Sequence, residues 1–340
     1  AWHQGAGFAQ PYQESAGVTG RQTSRQATRQ RTRKPSSQRG QVRGRLGNRN
    51  RKRNRRHGPI NALKRSWRKA NWPTRIKMVL IPTVAVVVVV ALVAGLVRFT
   101  NWRAQVRAAE AAQLELTRTY DFNPGNIISD GQFFNGSAMS QAEVQSFLNT
   151  QGGSLAAMTF DTSNESGEGL CADYTGTKGE SAAAIIDQSA RACKVSQKVL
   201  LTVMQKEQHL VTAVDPSDYQ LMAAMGLNCP DTADCDPAYA GFFRQVYGAA
   251  KRYRYYLEHE EQYGYTAHNL NYIQYHPNAA CGGAQVYIEN KATALLYIYT
   301  PYQPNIAALA AGNGTGDSCS SYGNRNFALI YTSWFGSPRS

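Results

Sequence analysis

An uninterrupted apolar run from Met78 to Val97 constrains this chain more than any other feature. Its twenty residues carry no charge. As an α-helix, which rises 1.5 Å per residue, the run extends about 30 Å, the thickness of a bilayer's hydrocarbon core. We therefore predict one transmembrane helix over residues 76–98. The alternative is a signal peptide cleaved near the small residues Ala91 to Gly95, although signal peptides usually have a shorter apolar core.

The net charge of the chain changes sign across this run. Residues 1–77 carry a formal charge of +20, whereas the rest of the chain carries −6. Lys and Arg accumulate on the cytoplasmic side of a membrane, so the N-terminus is expected in the cytoplasm. All six cysteines follow the run, on the side where disulfides form and persist. We expect a single-pass cell-membrane protein with an extracellular C-terminal domain.

The segments on either side of the run are polar. Residues 1–75 are rich in Arg, Gln, Ser and Gly, which predicts a disordered basic cytoplasmic tail. Its basic runs, with Trp67 and Trp72 beside lysines and arginines, favour anionic lipid of the inner leaflet as a partner. A topology signal without a specific partner is the alternative, and nucleic acid is possible without any folded reader motif. Residues 99–119 alternate in charge and are rich in alanine, which predicts a helical stalk.

The remaining residues, 120–340, are predicted to form one exported domain. Its fold class is mainly α, with loop-rich, disulfide-stapled connections, because helix signals outnumber strand signals. Only residues 285–288 alternate convincingly as a strand. The helix signals are a capping box at Ser140–Glu143, a cap at Ser181, a cap with proline at Asp236–Pro237, and apolar patterns over Ala292–Thr300 and Asn324–Phe335.

Six cysteines allow fifteen disulfide pairings, and the sequence alone does not select one. Two of them enclose a short acidic loop and form the easiest local pair. A zinc site is the alternative, but the chain has neither a C-x-x-C motif nor a histidine pair at helical spacing. We expect no metal and no other cofactor. The expected pairs are Cys229–Cys235, Cys171–Cys193 and Cys281–Cys319.

One glutamate lies in the middle of an apolar helical stripe that follows Ser196. Glu207 is three or four residues from Val203, Met204 and Leu210, so its carboxylate falls on the apolar face. Burial disfavours the charged form of a carboxyl group, as a general acid near neutral pH requires. A salt-bridged glutamate at the edge of the core is the alternative.

The surrounding residues carry a resemblance to known families. Ser196–Glu207 resembles the catalytic-helix motif of the lysozyme-like superfamily, in particular of lytic transglycosylases. Ala224–Leu227 is similar to that family's Gly-Leu-Met segment, and Asn278–Gly282 and Thr293–Tyr299 are faintly similar to its later motifs. The wider domain, with YHPNAACG, YTPYQPN and YGNRNF, also resembles exported actinobacterial domains often labelled haemagglutinin-like.

The resemblance implies a lysozyme-like helical domain that cleaves peptidoglycan glycan strands, as a lytic transglycosylase or a muramidase. Glu207 would be the general acid and base at the glycosidic oxygen. The alternative is a non-catalytic glycan-binding protein or adhesin on the same scaffold, since Gln208 stands where the family usually has serine. Candidates for a second carboxylate are Asp215, Asp218, Asp231, Asp234 and Asp236. The expected substrate-binding residues are Gly226, Leu227, Tyr275, Asn278, Tyr297 and Tyr299.

Overall fold

The computed structural model describes residues 59–229 and 235–340. Within them the protein is mainly helical, as predicted, and sheet is confined to two antiparallel strand pairs, β1–β2 and β3–β4. Most of the predicted tail lies outside the described residues, and so do Asp231 and Asp234. The helices are α1 (Pro59–Lys69), α2 (Trp72–Tyr120), α3 (Asp130–Phe133), α4 (Gln141–Gln151), α5 (Ala182–Cys193), α6 (Gln197–Gln208), α7 (Asp218–Met222), α8 (Phe242–Glu258), α9 (Lys291–Tyr299), α10 (Ile306–Ala310) and α11 (Gly323–Phe335). The strands are β1 (Thr159–Phe160), β2 (Glu180–Ser181), β3 (Asn269–Gln274) and β4 (Gly283–Ile288).

The described chain divides into two compact units, residues 59–100 and the described residues from 101 to 340. The first unit contains α1 and the apolar part of α2. The most apolar stretch of α2 has a mean hydropathy of 2.9 and none of it is buried. Its length and composition allow either a membrane anchor or a signal sequence. The helix also continues to Tyr120 and so includes the predicted stalk.

The second unit has a single hydrophobic core built mainly from six helices. α5 packs between α4 and α8, and α6 packs against α5 and α11, while α9 lies on α8. Nearly every residue of α5 is buried, so its small side chains, AAAIIDQSARAC, allow neighbouring helices to approach from several directions. Some of the largest buried side chains are Tyr253, Tyr297, Tyr331, Phe133 and Phe327.

Several of the predicted helix ends are confirmed. Ser140 and Glu143 form the capping box of α4, in which each side chain accepts from the other's backbone N–H. The hydrogen bond from the Ser140 backbone lowers the pKa of Glu143, because it favours the charged carboxylate. The Ser181 side chain caps α5, and Gly336 follows the last residue of α11 with a φ of +83°.

The predicted start of α8 at Asp236 is wrong. Its Oδ1 accepts a hydrogen bond of 2.9 Å from Ala238 N, so the aspartate closes a turn and does not cap a long helix. Gly241 then has a φ of +101°, which a helix cannot contain. α8 therefore begins at Phe242.

The β3–β4 hairpin confirms the predicted strand at residues 285–288 and adds a partner that was not predicted. β3 contains Asn269 and Asn271, a residue type depleted in strands, which explains why its pattern gave no signal. The end of α2 is tied to β4. Tyr287 N donates to Gln113 Oε1 at 2.8 Å, and Gln113 Nε2 donates to Tyr287 O at 3.2 Å.

All six cysteines form disulfides, and none is free. The pairs are those expected from the sequence: Cys171–Cys193, Cys229–Cys235 and Cys281–Cys319. The third closes the longest stretch, 38 residues, and joins the end of the β3–β4 hairpin to the loop after α10.

Candidate functional site

Glu207 occupies the last turn of α6, one residue before the helix ends. The helix is closed by His209, whose φ of 53° is left-handed and whose N–H bonds to Gln205 O. The apolar neighbours Val203, Met204 and Leu210 are fully buried. The Glu207 side chain itself is only 11% exposed. The carboxylate therefore lies at the edge of the core, the alternative considered for the stripe.

Lys206 compensates the charge of this carboxylate. The Lys206 side chain is 5% exposed, and its Nζ forms an ion pair with Glu207 Oε1. The same Nζ donates to Thr300 Oγ1 at 3.1 Å and lies 5.8 Å from the ring centroid of Tyr299. A buried charge is tolerated when it is paired and hydrogen-bonded, and Lys206 has both kinds of partner.

Gly226 forms the wall opposite the carboxylate. A Cβ atom built on it would lie 3.3 Å from Glu207 Oε2, and its φ is +69°. The segment is fixed by Gln245 of α8, a fully buried side chain. Gln245 Oε1 accepts from Met225 N at 3.1 Å and from Leu227 N at 3.0 Å, and its Nε2 donates to Leu227 O at 2.8 Å. These bonds satisfy the segment's backbone where water cannot reach it.

Two stacked tyrosines complete the cluster. The rings of Tyr253 and Tyr299 lie 5.0 Å apart, and Tyr299 Oη donates to Met225 O. Tyr253 Oη is buried and has no hydrogen-bond partner among the described residues. Burial raises the pKa of both phenols well above the ordinary value, and the negative charge of Glu207 acts in the same direction. Both hydroxyl groups are therefore neutral donors at physiological pH.

Sequence reasoning missed three members of this cluster: Lys206, Tyr253 and Thr300. Adjacent residues on a helix do not face each other, so Lys206 gave no signal as a partner for Glu207. Its long side chain bends back to the carboxylate. Tyr253 and Thr300 come from distant parts of the chain, and Tyr253 has the spacing of an ordinary core residue.

The structure separates the other predicted site residues into two groups. Leu227 and Tyr297 lie in the core, where Tyr297 Oη donates to Pro124 O at 2.9 Å. Tyr275 and Asn278 lie at the end of the β3–β4 hairpin, with Tyr275 half-buried and Asn278 exposed. Burial raises the pKa of Tyr275. Only Gly226 and Tyr299 are brought to Glu207.

The three motifs YHPNAACG, YTPYQPN and YGNRNF are joined to one another near Thr300. Asn324 of YGNRNF donates from Nδ2 to Thr300 O and to Tyr302 O, both at 2.9 Å. Gln303 of YTPYQPN donates to Ile273 O at 2.8 Å, which attaches that loop to β3. The disulfide at Cys281 attaches YHPNAACG to the same region. The loop that contains Thr300, a partner of Lys206, is therefore fixed by hydrogen bonds from Asn324 and to β3.

The described residues contain no group of three or more His, Cys, Asp or Glu side chains that could hold a metal ion.

A family model for the N-terminal domain of LasA matches residues 126–340, well over half of the chain. The chain belongs to the LasA N-terminal domain family. No curated protein and no solved structure matches it. The matched residues include the whole cluster around Glu207, both strand pairs and all three disulfides.

Family membership corrects the function expected from the resemblance. We predicted a lytic transglycosylase or muramidase with Glu207 as general acid and base, or a glycan-binding protein on that scaffold. This prediction is wrong, since the chain is a LasA N-terminal domain. The geometry gives a physical reason. Glu207 already has a cationic partner inside the protein, as the salt-bridge alternative requires.

Proposed function

We propose that the exported LasA N-terminal domain engages the peptidoglycan of a cell wall through the wall's peptide part. The observation that carries the proposal is the family match over residues 126–340. LasA is a staphylolytic peptidase, so its chemistry is directed at the peptides of the wall. Three disulfides support a place outside the cytoplasm, where the wall is found.

For the contact surface we propose the end of the β3–β4 hairpin and the loop beside it. Tyr272 in β3 is 55% exposed, and Asn278, in the turn that follows this strand, offers an exposed side-chain amide. An exposed aromatic face and an amide can bind a peptide by packing and hydrogen bonds. Tyr275 lies between them. The lysozyme-like scaffold, and substrate contacts by Gly226 or Tyr299, stay predictions.

The protein is expected to co-sediment with purified insoluble peptidoglycan and not with chitin, a related glycan that has no peptides. The full chain in detergent or nanodiscs stays in solution by itself, so pelleting measures binding. Tyr272→Ser should weaken the binding several-fold, whereas Tyr219→Ser, which changes another tyrosine that is half exposed, should not. Equal binding to chitin and peptidoglycan, or none to either, would reject the proposal. Release of peptides from the wall during the incubation would show that engagement includes cleavage.

We also propose that α2 anchors this domain in the cell membrane with the N-terminus in the cytoplasm. The support is the exposed apolar helix and the positive charge that precedes it. We further propose that the basic residues before α2 bind anionic lipid. Nucleic acid binding stays a prediction.

Labelling from outside intact cells tests this orientation. All native cysteines are paired, so a cysteine added at Lys178, which is exposed, or at Ser24, in the basic tail, is the only free thiol. A membrane-impermeant maleimide should label Lys178→Cys at once and Ser24→Cys only after the membrane is permeabilised. Labelling of Ser24→Cys in intact cells would reverse the orientation, and a mature chain beginning after Val97 would identify α2 as a cleaved signal.

A further inference from the structure

Helix α1, which precedes the apolar helix, has one apolar face and no covering partner within its own unit. Ile60, Leu63 and Trp67 are 69%, 65% and 41% exposed. At 100° per residue their positions fall within an arc of about 60° on the helix surface. Exposed apolar side chains aligned on one face of a helix mark a surface that another apolar phase covers.

One side of the remaining helix surface is positively charged. α1 contains Lys64, Arg65, Arg68 and Lys69 and no acidic residue. Lys64 and Arg68 lie along one border of the apolar arc, whereas Arg65 and Lys69 lie opposite it. Long basic side chains at the border of an apolar face can reach up to headgroups while their stems stay in the apolar layer. The charge pattern thus fits an anionic lipid surface and not a neutral apolar protein groove.

A short corner connects α1 to the apolar helix. The chain leaves the helical conformation only at Ala70 and Asn71, and α2 begins at Trp72. Arg75, in the first turn of α2, donates from Nε to Trp67 O at 3.2 Å, and its guanidinium lies 5.9 Å from the Trp67 ring centroid. Trp67 and Trp72 are of the type enriched at membrane–water interfaces. The corner therefore fixes α1 at the point where α2 would enter the bilayer.

We propose that α1 is an interfacial helix that binds an anionic phospholipid surface, with Ile60, Leu63 and Trp67 inserted at the level of the headgroups. This inference rests on the proposal that α2 spans the membrane. The four cations of α1 are attracted to such a surface, and salt weakens this attraction. The apolar face adds contacts that do not depend on salt. Binding should thus need anionic lipid for its full strength.

Spin labels on the full chain in nanodiscs test the proposal. Leu63→Cys places the label on the apolar face, Arg65→Cys places it on the opposite face of the same helix, and Val88→Cys places it within the apolar run. In discs containing anionic phosphatidylglycerol, the labels at 63 and 88 should be accessible to oxygen and shielded from an aqueous nickel complex. The label at 65 should show the reverse. Replacing the anionic lipid by phosphatidylcholine, or adding 1 M NaCl, should expose the label at 63 several-fold more to nickel and leave that at 88 unchanged.

Each other outcome overturns a defined part of the proposal. If 63 and 65 are equally exposed to nickel while 88 is shielded, α1 does not lie in the interface although α2 spans the bilayer. If 88 is exposed as well, the anchor proposal itself fails. If 63 is shielded equally in both lipids and at both salt concentrations, anionic lipid is not the partner.

Discussion

Replacing Lys206 by methionine is expected to lower the free energy of unfolding of the second unit by about 3–5 kcal/mol, the usual effect of breaking a buried ion pair. Methionine keeps the apolar stem, so the loss arises from the ammonium group. Without it, Glu207 is a charge at the edge of the core with no cation beside it, and Thr300 Oγ1 loses a donor. Urea denaturation followed by circular dichroism measures the change.

A double-mutant cycle separates this pair from simple loss of packing. Lys206→Met combined with Glu207→Gln should cost less than the sum of the two single variants, because the double variant leaves no unpaired charge. Lys178→Met serves as the matched control, since that lysine is exposed, and surface changes usually alter stability by at most about 0.5 kcal/mol. Additive costs in the cycle would mean that Lys206 and Glu207 do not act as a pair.

Removing the disulfide between Cys281 and Cys319 is expected to destabilise the domain by about 4 kcal/mol. The two cysteines are separated by 38 residues in sequence, and closing a loop of this length restricts the unfolded chain. The estimate follows from the entropy of that restriction. The variant is Cys281→Ser with Cys319→Ser, and its denaturation midpoint in urea should fall. It also frees the end of the hairpin that carries Tyr275 and Asn278, so binding to peptidoglycan should weaken in parallel.

The pair Cys229 and Cys235 provides the control, because it closes a sequence separation of only 6 residues. Its removal should cost about 2 kcal/mol in the same loop-entropy account. Equal losses for the two pairs would show that strain or local contacts, and not loop length, determine the stabilisation. A loss of stability with unchanged wall binding in the Cys281 variant would place the contact surface elsewhere.

Local signals in the sequence predicted local structure well. Ser140 with Glu143, and Ser181, identify helix starts because a capping side chain bonds to backbone within three residues. The apolar spacing around Glu207 predicted a carboxylate on the apolar face, and the structure places it at the edge of the core. The predicted start at Asp236 failed because an aspartate caps a turn as readily as it caps a helix.

The candidate site depended on contacts that no local pattern contains. The partner of Glu207 is its own neighbour in sequence, a pairing that helical geometry disfavours. Thr300, the other partner of Lys206, comes from a loop whose backbone Asn324 holds by hydrogen bonds. The motif resemblance singled out Glu207 and Gly226, which lie close together in the structure, but it implied an activity that the family match contradicts.

Several of the first residues of the second unit's globular part have partners near its end, which affects the order in which this part can fold. Ile127 N donates to Thr293 Oγ1 at 3.0 Å, Ser129 N donates to Pro338 O at 3.0 Å, and Asp121 pairs with Arg339. During synthesis at 5–20 residues per second, these early groups wait about 10–40 s for the later ones. Any core that forms during synthesis must leave this seam open. The segment around Ile127 is therefore exposed to proteases and chaperones until the last helix has emerged.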